Sequence, residues 1–149
     1  MPVLGSDPNW QKPTTGEAAM TRDEMKKLVE RLHHLWNTGE LAAIPDLYAP
    51  DFIGHFSKAS GLGDLKGHNG VRDTIERVRR AFPDWTETVE DIIFEGDKVV
   101  SRYISTGVHE GPFFDMAPTG KRVRFNEISI LRVHDGRVAE QWCVTDQTE

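Results

Sequence analysis

The residues best suited to chemistry lie on the last hairpin of the chain, "KRVRFNEISILRVHDGRVAEQWCVTDQ". There Glu127, Ser129, Gln141, Cys143 and Asp146 sit among alternating apolar residues. A strand sends successive side chains to opposite faces, so residues two apart share a face. "VHDGR" suits a three-residue turn with Gly136 in the left-handed region and Val133 opposite Arg137, which groups the odd-numbered residues of both strands. One face then carries Phe125, Glu127, Ser129, Leu131, Gln141, Cys143 and Thr145, and the other carries Asn126, Ile128, Ile130, Glu140, Trp142, Val144 and Asp146. Register alone leaves open which face is inside. With the Ile, Trp and Val face in the core, Glu127 is a solvated acid. With the odd face lining a pocket, Glu127 is a desolvated carboxylate whose proton affinity rises toward neutrality, as a general base requires.

Six histidines could partner such an acid. His33, His34 and His134 read as solvated surface positions, while His55 and His109 lie within or at the end of apolar β-segments, where a polar ring needs a reason. Those two are the candidate acids or oxyanion donors, and no histidine pair has the helix-borne spacing of a zinc site. "GLGDLKG" fits neither the dinucleotide fingerprint nor the phosphate loop. No serine sits in a G-x-S-x-G elbow, and Cys143, alone in a strand, reads first as a small buried hydrophobe. Neither a metal nor a cofactor is expected.

These residues need a container, and 149 residues suit one domain with a sizeable core. With 18 basic against 24 acidic residues the net charge is −6, and only "RVRR" clusters positive charge, so nucleic acid is not an expected partner. No apolar run reaches the roughly 18 residues of a membrane helix, the first twenty residues do not resemble a secretory signal, and one cysteine makes no internal disulfide. The expected setting is the cytoplasm.

Residues 1–19 read as an extended tail, in which Trp10 is expected to dock on a neighbouring subunit or on the mouth of a pocket, and residues 20–149 read as a single domain. Thr21 and Glu24 form a capping box ahead of a stripe of Met25, Leu28, Leu32, Leu35 and Trp36, and Gly39 ends that helix. A short helical element in "ELAAIPDLYAPDF" ends before Pro50, and "DFIGHF" reads as a strand. The polar stretch "SKASGLGDLKGHNG" reads as a loop, and Val71, Ile75, Val78 and Phe82 mark a third helix that ends before Pro83. Four β-rich segments follow. Helices first and antiparallel strands after give an α+β class, with three helices packed in a strongly curved mixed or antiparallel sheet that forms a cone around an apolar pocket.

The succession "AFPD", "GDKVV", "TGVHEG" and "PTGKRV", in that order, resembles the SnoaL-like polyketide cyclase branch of the NTF2-like superfamily from about residue 20 onward. The resemblance implies a cone-shaped pocket for hydrophobic, often aromatic or polyketide-like molecules. Its chemistry is a cofactor-free aldol closure, in which a carboxylate removes a carbon-bound proton and polar neighbours hold the enolate. With the "DG" turns matched, the cyclase acid falls on Cys143, the pocket histidine on Ser129 and a pocket asparagine on Gly54, beside His55. The match supports the odd-numbered face as the inward one.

The expectation is therefore a cofactor-independent acid/base enzyme using proton abstraction with aldol or retro-aldol bond making or breaking. Glu127, His55 and His109 are its catalytic candidates, and Tyr48, Trp36, Phe125, Ser129, Gln141, Cys143 and Asp146 its substrate-binding candidates. The alternatives are a dehydratase or isomerase with a histidine base, or a binding module that only sequesters a ligand. The apolar outer face of such a sheet points to a homodimer.

Overall fold

A computed structural model describes residues 20–148. Trp10 and the rest of the tail lie outside the described residues.

Helix α1 (Arg22–Thr38) starts where the sequence places it. Thr21 Oγ1 accepts the Glu24 N–H at 3.1 Å while Glu24 Oε1 accepts the Thr21 N–H at 3.0 Å, and Gly39 closes the helix at φ 74°. Its buried stripe holds Met25, Leu28, Val29, Leu32, Leu35 and Trp36, and also His33. Helix α2 (Ile44–Leu47) is a single turn, and α3 (Gly67–Ala81) buries Val71, Thr74, Ile75, Val78 and Ala81. The Arg79 guanidinium donates to the backbone oxygens of Trp36 at 3.0 Å, Trp85 at 3.3 Å and Pro83 at 3.1 Å, tying the end of α1 to α3 and to residues 83–85 that follow it.

Six strands form one sheet in the order β2-β1-β6-β5-β4-β3, with β1 (Tyr48–Phe56), β2 (Asp64–Lys66), β3 (Thr86–Glu95), β4 (Lys98–Val108), β5 (Arg122–His134) and β6 (Arg137–Thr148). The β1/β6 pair is parallel and the rest are antiparallel, so the sheet is mixed. It is curled rather than closed, with β2 and β3 as its edges. The helices cover the concave face, where Val29, Leu35, Ile44, Phe52, Ile75, Val99 and Val138 are among the most deeply buried side chains. This is the α+β architecture expected from the sequence.

Strand β2 falls inside the stretch read as loop. Its three residues pair with Ile53, Gly54 and His55, too short a segment to show alternation.

The turn between β5 and β6 also differs from expectation. His134, not Val133, is opposite Arg137, and the two residues between, Asp135 at φ 53° and Gly136 at φ 75°, are both left-handed, as a type I′ turn requires. A two-residue turn alone would pair odd with even residues. Ala139, however, is an extra residue: Val133 pairs with Val138 and Arg132 with Glu140. That bulge restores the parity, so Glu127 faces Thr145 and Ser129 faces Cys143. A second register shift, between Val89 and Asp91 of β3, does similar work: Glu87 before it and Ile92 after it both sit on the helix side.

Candidate active site

The odd-numbered face of the last hairpin is the inner one. Glu127, Ser129, Leu131, Gln141 and Cys143 are buried, whereas Ile128, Ile130, Trp142 and Val144 are exposed. Between this face and the helices lies a cavity of about 180 Å³. Leu32 and Trp36 of α1, Val78 of α3, the aromatic segment Phe82 to Trp85, the loop residues Phe113 and Met116, and Glu127, Gln141 and Thr145 of the hairpin all contribute to its wall.

Glu127 is 8% exposed. Ser105 Oγ donates to its Oε2 at 2.5 Å and Thr145 Oγ1 donates to its Oε1 at 2.9 Å. Burial away from water, reinforced by the nearby Glu87 charge, pushes its pKa up to about 7, although the two hydroxyl donors pull the other way. Desolvation outweighs hydrogen bonding because two neutral donors replace only part of a carboxylate's hydration. Near neutrality the group is thus poised between its two forms, which suits it to taking and returning a proton.

His109 closes another part of the wall. Its backbone N–H donates to Lys121 O at 2.9 Å, and its ring lies 5.2 Å from that of Phe82. Nδ1 is 3.2 Å from Thr119 Oγ1, and Nε2 is buried without a partner. Thr119 Oγ1 already accepts the Lys121 N–H at 3.3 Å. In the tautomer where that hydroxyl donates to Nδ1, Nε2 carries the proton and is an unspent donor in a residue of the cavity wall. An unsatisfied buried nitrogen is costly, and a ligand oxygen would relieve that cost.

Of the other expected residues, Trp36, Phe125 and Gln141 line the cavity. Tyr48, Ser129 and Cys143 are buried but not part of its wall. The Tyr48 hydroxyl accepts the Trp36 indole N–H at 3.0 Å, which fixes the Trp36 ring, and burial holds its pKa above the usual phenol range. Ser129 Oγ accepts Gln141 Nε2 at 3.0 Å and lies 2.9 Å from the Tyr103 hydroxyl, which in turn is 3.5 Å from Cys143 Sγ. Burial pushes the Cys143 thiol up to about 11, so it is a protonated packing group and not a nucleophile. Where the cyclases carry an asparagine, a side chain at Gly54 would meet the Phe52 and Phe56 rings at 3.1 Å.

Two expected residues stand elsewhere. His55 is on the outer face, stacked on Trp142 with ring centroids 5.6 Å apart and held by Glu140 Oε2 at 2.8 Å. The parallel pairing of His55 with outward-facing Trp142 puts it there. Asp146 is exposed on the same outer side, because no bulge interrupts β6 between Gln141 and Gln147.

His33 corrects the surface expectation in the opposite direction. It is 5% exposed, with Nδ1 2.6 Å from Glu87 Oε1 and Nε2 3.1 Å from Ser101 Oγ. Trp85 Nε1 donates to Glu87 Oε2 at 2.9 Å, and Glu87 lines the cavity. A buried polar network of α1, β3 and β4 thus stands beside Glu127, and sequence reasoning missed both its acid and its base. The signal was present for His33, which falls four residues after Val29 and three before Trp36 on the buried stripe. Among the described residues no three His, Cys, Asp or Glu side chains converge to hold a metal ion.

The profile of the SnoaL-like polyketide cyclase family matches residues 26–149. Among solved structures, the chain is similar to IdmH of Streptomyces antibioticus, which carries a provisional assignment as a polyketide cyclase: 30% identity, 81% of this chain and 91% of that one, TM-score 0.70. It is also similar to AclR of Streptomyces galilaeus, provisionally a hydroxylase, at 30% identity over 85% and 77% of the two chains with TM-score 0.72. TsrD of Streptomyces laurentii aligns at 26% identity over 85% and 91% with TM-score 0.75. None of the curated proteins compared with it matches its sequence. With the curled sheet, the inward hairpin face and a profile match over most of its length, the chain belongs to the SnoaL-like polyketide cyclase family.

Proposed function

We propose that this protein is a cofactor-independent acid/base enzyme acting on a hydrophobic, ring-bearing, polyketide-like small molecule, with Glu127 as the proton carrier. The observation that carries this reading is a hydrogen-bonded carboxylate in an aromatic cavity wall, its pKa pushed up to about 7. The Glu127 carboxylate takes a proton from a carbon next to a carbonyl. The C–H electron pair moves into an enolate, whose oxygen accepts the His109 Nε2 proton in a hydrogen bond. The enolate carbon then attacks a second carbonyl to close a ring, and Glu127 returns its proton to the new alkoxide. Run backward, the same steps cleave the bond. Held donors and a held base favour the charge as it develops.

A general probe of the first step is exchange of the C1 protons of 2-tetralone for deuterium, followed by NMR. Glu127→Gln is expected to slow this exchange at least about a hundredfold, since a positioned base contributes roughly that much or more. The base must be ionised, so the wild-type rate rises with pH and levels off above about 7. Exchange that survives Glu127→Gln removes the assignment. Loss on His109→Phe with Glu127→Gln active would instead make a histidine the base, the dehydratase or isomerase alternative.

Ligand sequestration without chemistry is the second reading, favoured by Ser129 and Cys143 standing where the cyclases have a histidine and an acid. Probe binding with no exchange by the wild-type chain would establish it.

The reading also includes a homodimer in the cytoplasm. Ile93, Ile128, Ile130, Trp142 and Val144, between 37% and 66% exposed, support the association, because they leave an apolar band across the outer face of the sheet.

A further inference from the structure

The size of the cavity and the charge of its wall bear on what it can enclose. Its volume of about 180 Å³ is comparable with the roughly 150 Å³ of an engineered apolar cavity that takes up one benzene ring. The rings of Trp36, Phe56, Phe82, Trp85, Phe113 and Phe125 line it, several of them in mutual contact: Phe82 is 5.6 Å from Trp85 and 5.8 Å from Phe113, and Trp85 is 5.8 Å from Phe125. A flat ring system suits these surfaces.

Charge is distributed one-sidedly. Glu87 and Glu127 both line the cavity, and among the described lining residues there is no lysine or arginine. The groups that bear on Glu127 are Glu87 of β3, His33 of α1, Tyr103 of β4 and Cys143 of β6. None of these is a free donor for an anion: His33 is engaged with Glu87 and Ser101, and Tyr103 with Ser129 and Cys143. Among the described residues of the wall, the buried nitrogen without a partner is His109 Nε2.

Resting on the reading of this cavity as the working site, we propose that the part of the substrate it encloses is an uncharged compound of one or two rings bearing a carbonyl or hydroxyl oxygen, and that carboxylate-bearing compounds are rejected. The oxygen accepts from His109 Nε2 and the rings lie among the aromatic side chains. A carboxylate in the same place would lose its hydration beside two acids with no cation to replace it. Such a charge is expelled or forces a proton onto one of the acids. The volume holds one or two rings, and a third would lie outside it.

The test uses the full chain and follows the fluorescence of Trp36 and Trp85 on titration with 2-tetralone and 2-naphthoate. Tetralone is expected to bind at least about tenfold more tightly than naphthoate, one pKa unit in energetic terms. Naphthoate affinity should improve as pH falls through about 7, where Glu127 takes up its proton, and more steeply than tetralone affinity does. His109→Phe should weaken tetralone binding by about tenfold through loss of the hydrogen bond, with thermal unfolding checking that the variant is folded.

Naphthoate binding as tightly as tetralone, His109→Phe leaving tetralone binding unchanged, or no probe binding would each overturn the proposal. Tetralone that binds selectively but exchanges no protons would leave it standing while removing the catalytic reading.

Discussion

At the residue scale the site rests on two buried acids handled in different ways. Glu87 is held by an imidazole and an indole N–H. Glu127 has two hydroxyl donors, and burial keeps its proton affinity high against their pull. Raised proton affinity has a stability consequence with a definite sign. A carboxyl whose folded pKa lies above its unfolded value binds protons more tightly when folded, so its stabilising contribution is complete below about 4.5 and is lost as pH rises through about 7. Glu127→Gln is therefore expected to be more stable than the wild type at pH 8, by on the order of 3 kcal/mol, and to lose that advantage at pH 4. Thermal unfolding at both pH values checks this.

His33→Leu should act oppositely, costing roughly 3 kcal/mol in urea unfolding because it strands a buried carboxylate. Alternation grouped Glu127 with Ser129, Gln141 and Cys143, and the family resemblance was needed to turn that face inward. His33 was not legible, because an adjacent histidine pair reads as polar surface unless each is placed on the helical stripe. Glu87 was hidden by the β3 register shift, which no local signal in "TETVEDII" announces.

Among the elements, the β5/β6 hairpin shows how a correct face can follow from an incorrect turn. Two departures from the expected geometry, a two-residue turn and the extra Ala139, cancel in parity but slide the pairing by two residues. Alternation fixes which residues share a face, since the period is 2, but it carries no information on such a slide.

The loop from Glu110 to Gly120 is held to the end of α3 by the N–H groups of Glu110 and Gly111, which donate to Ala81 O at 2.9 and 3.0 Å. A Cβ at Gly111 would lie 2.2 Å from the Arg80 carbonyl oxygen, so the backbone there has no room for one. Gly111→Ala is expected to push this loop off α3, losing about 1 kcal/mol per broken hydrogen bond. It should also displace Phe113 and Met116 from the cavity wall. Weakened 2-tetralone binding with a retained far-UV circular dichroism spectrum would be the signature. Unchanged binding would show that the loop does not shape the cavity.

For the whole molecule, element order and apolar patterning were enough to give three helices on a curled sheet. Where the edges fall depends on β2, too short to leave a pattern. The cone leaves an apolar band outside, and the homodimer proposed from it predicts that Ile130→Glu, at the centre of the band beside Trp142, converts a two-chain species in sedimentation into one of 16.9 kDa. A wild type already at that mass would refute the association.

The functional account as a whole turns on a single proton held inside the cone. The direct measurement is the carboxyl titration of Glu127 by carbon-13 NMR, assigned by comparison with Glu127→Gln. The account predicts a midpoint near 7, moving when 2-tetralone is added. A midpoint in the ordinary range of an exposed glutamate, about 4.3, unaffected by the ketone, would contradict it.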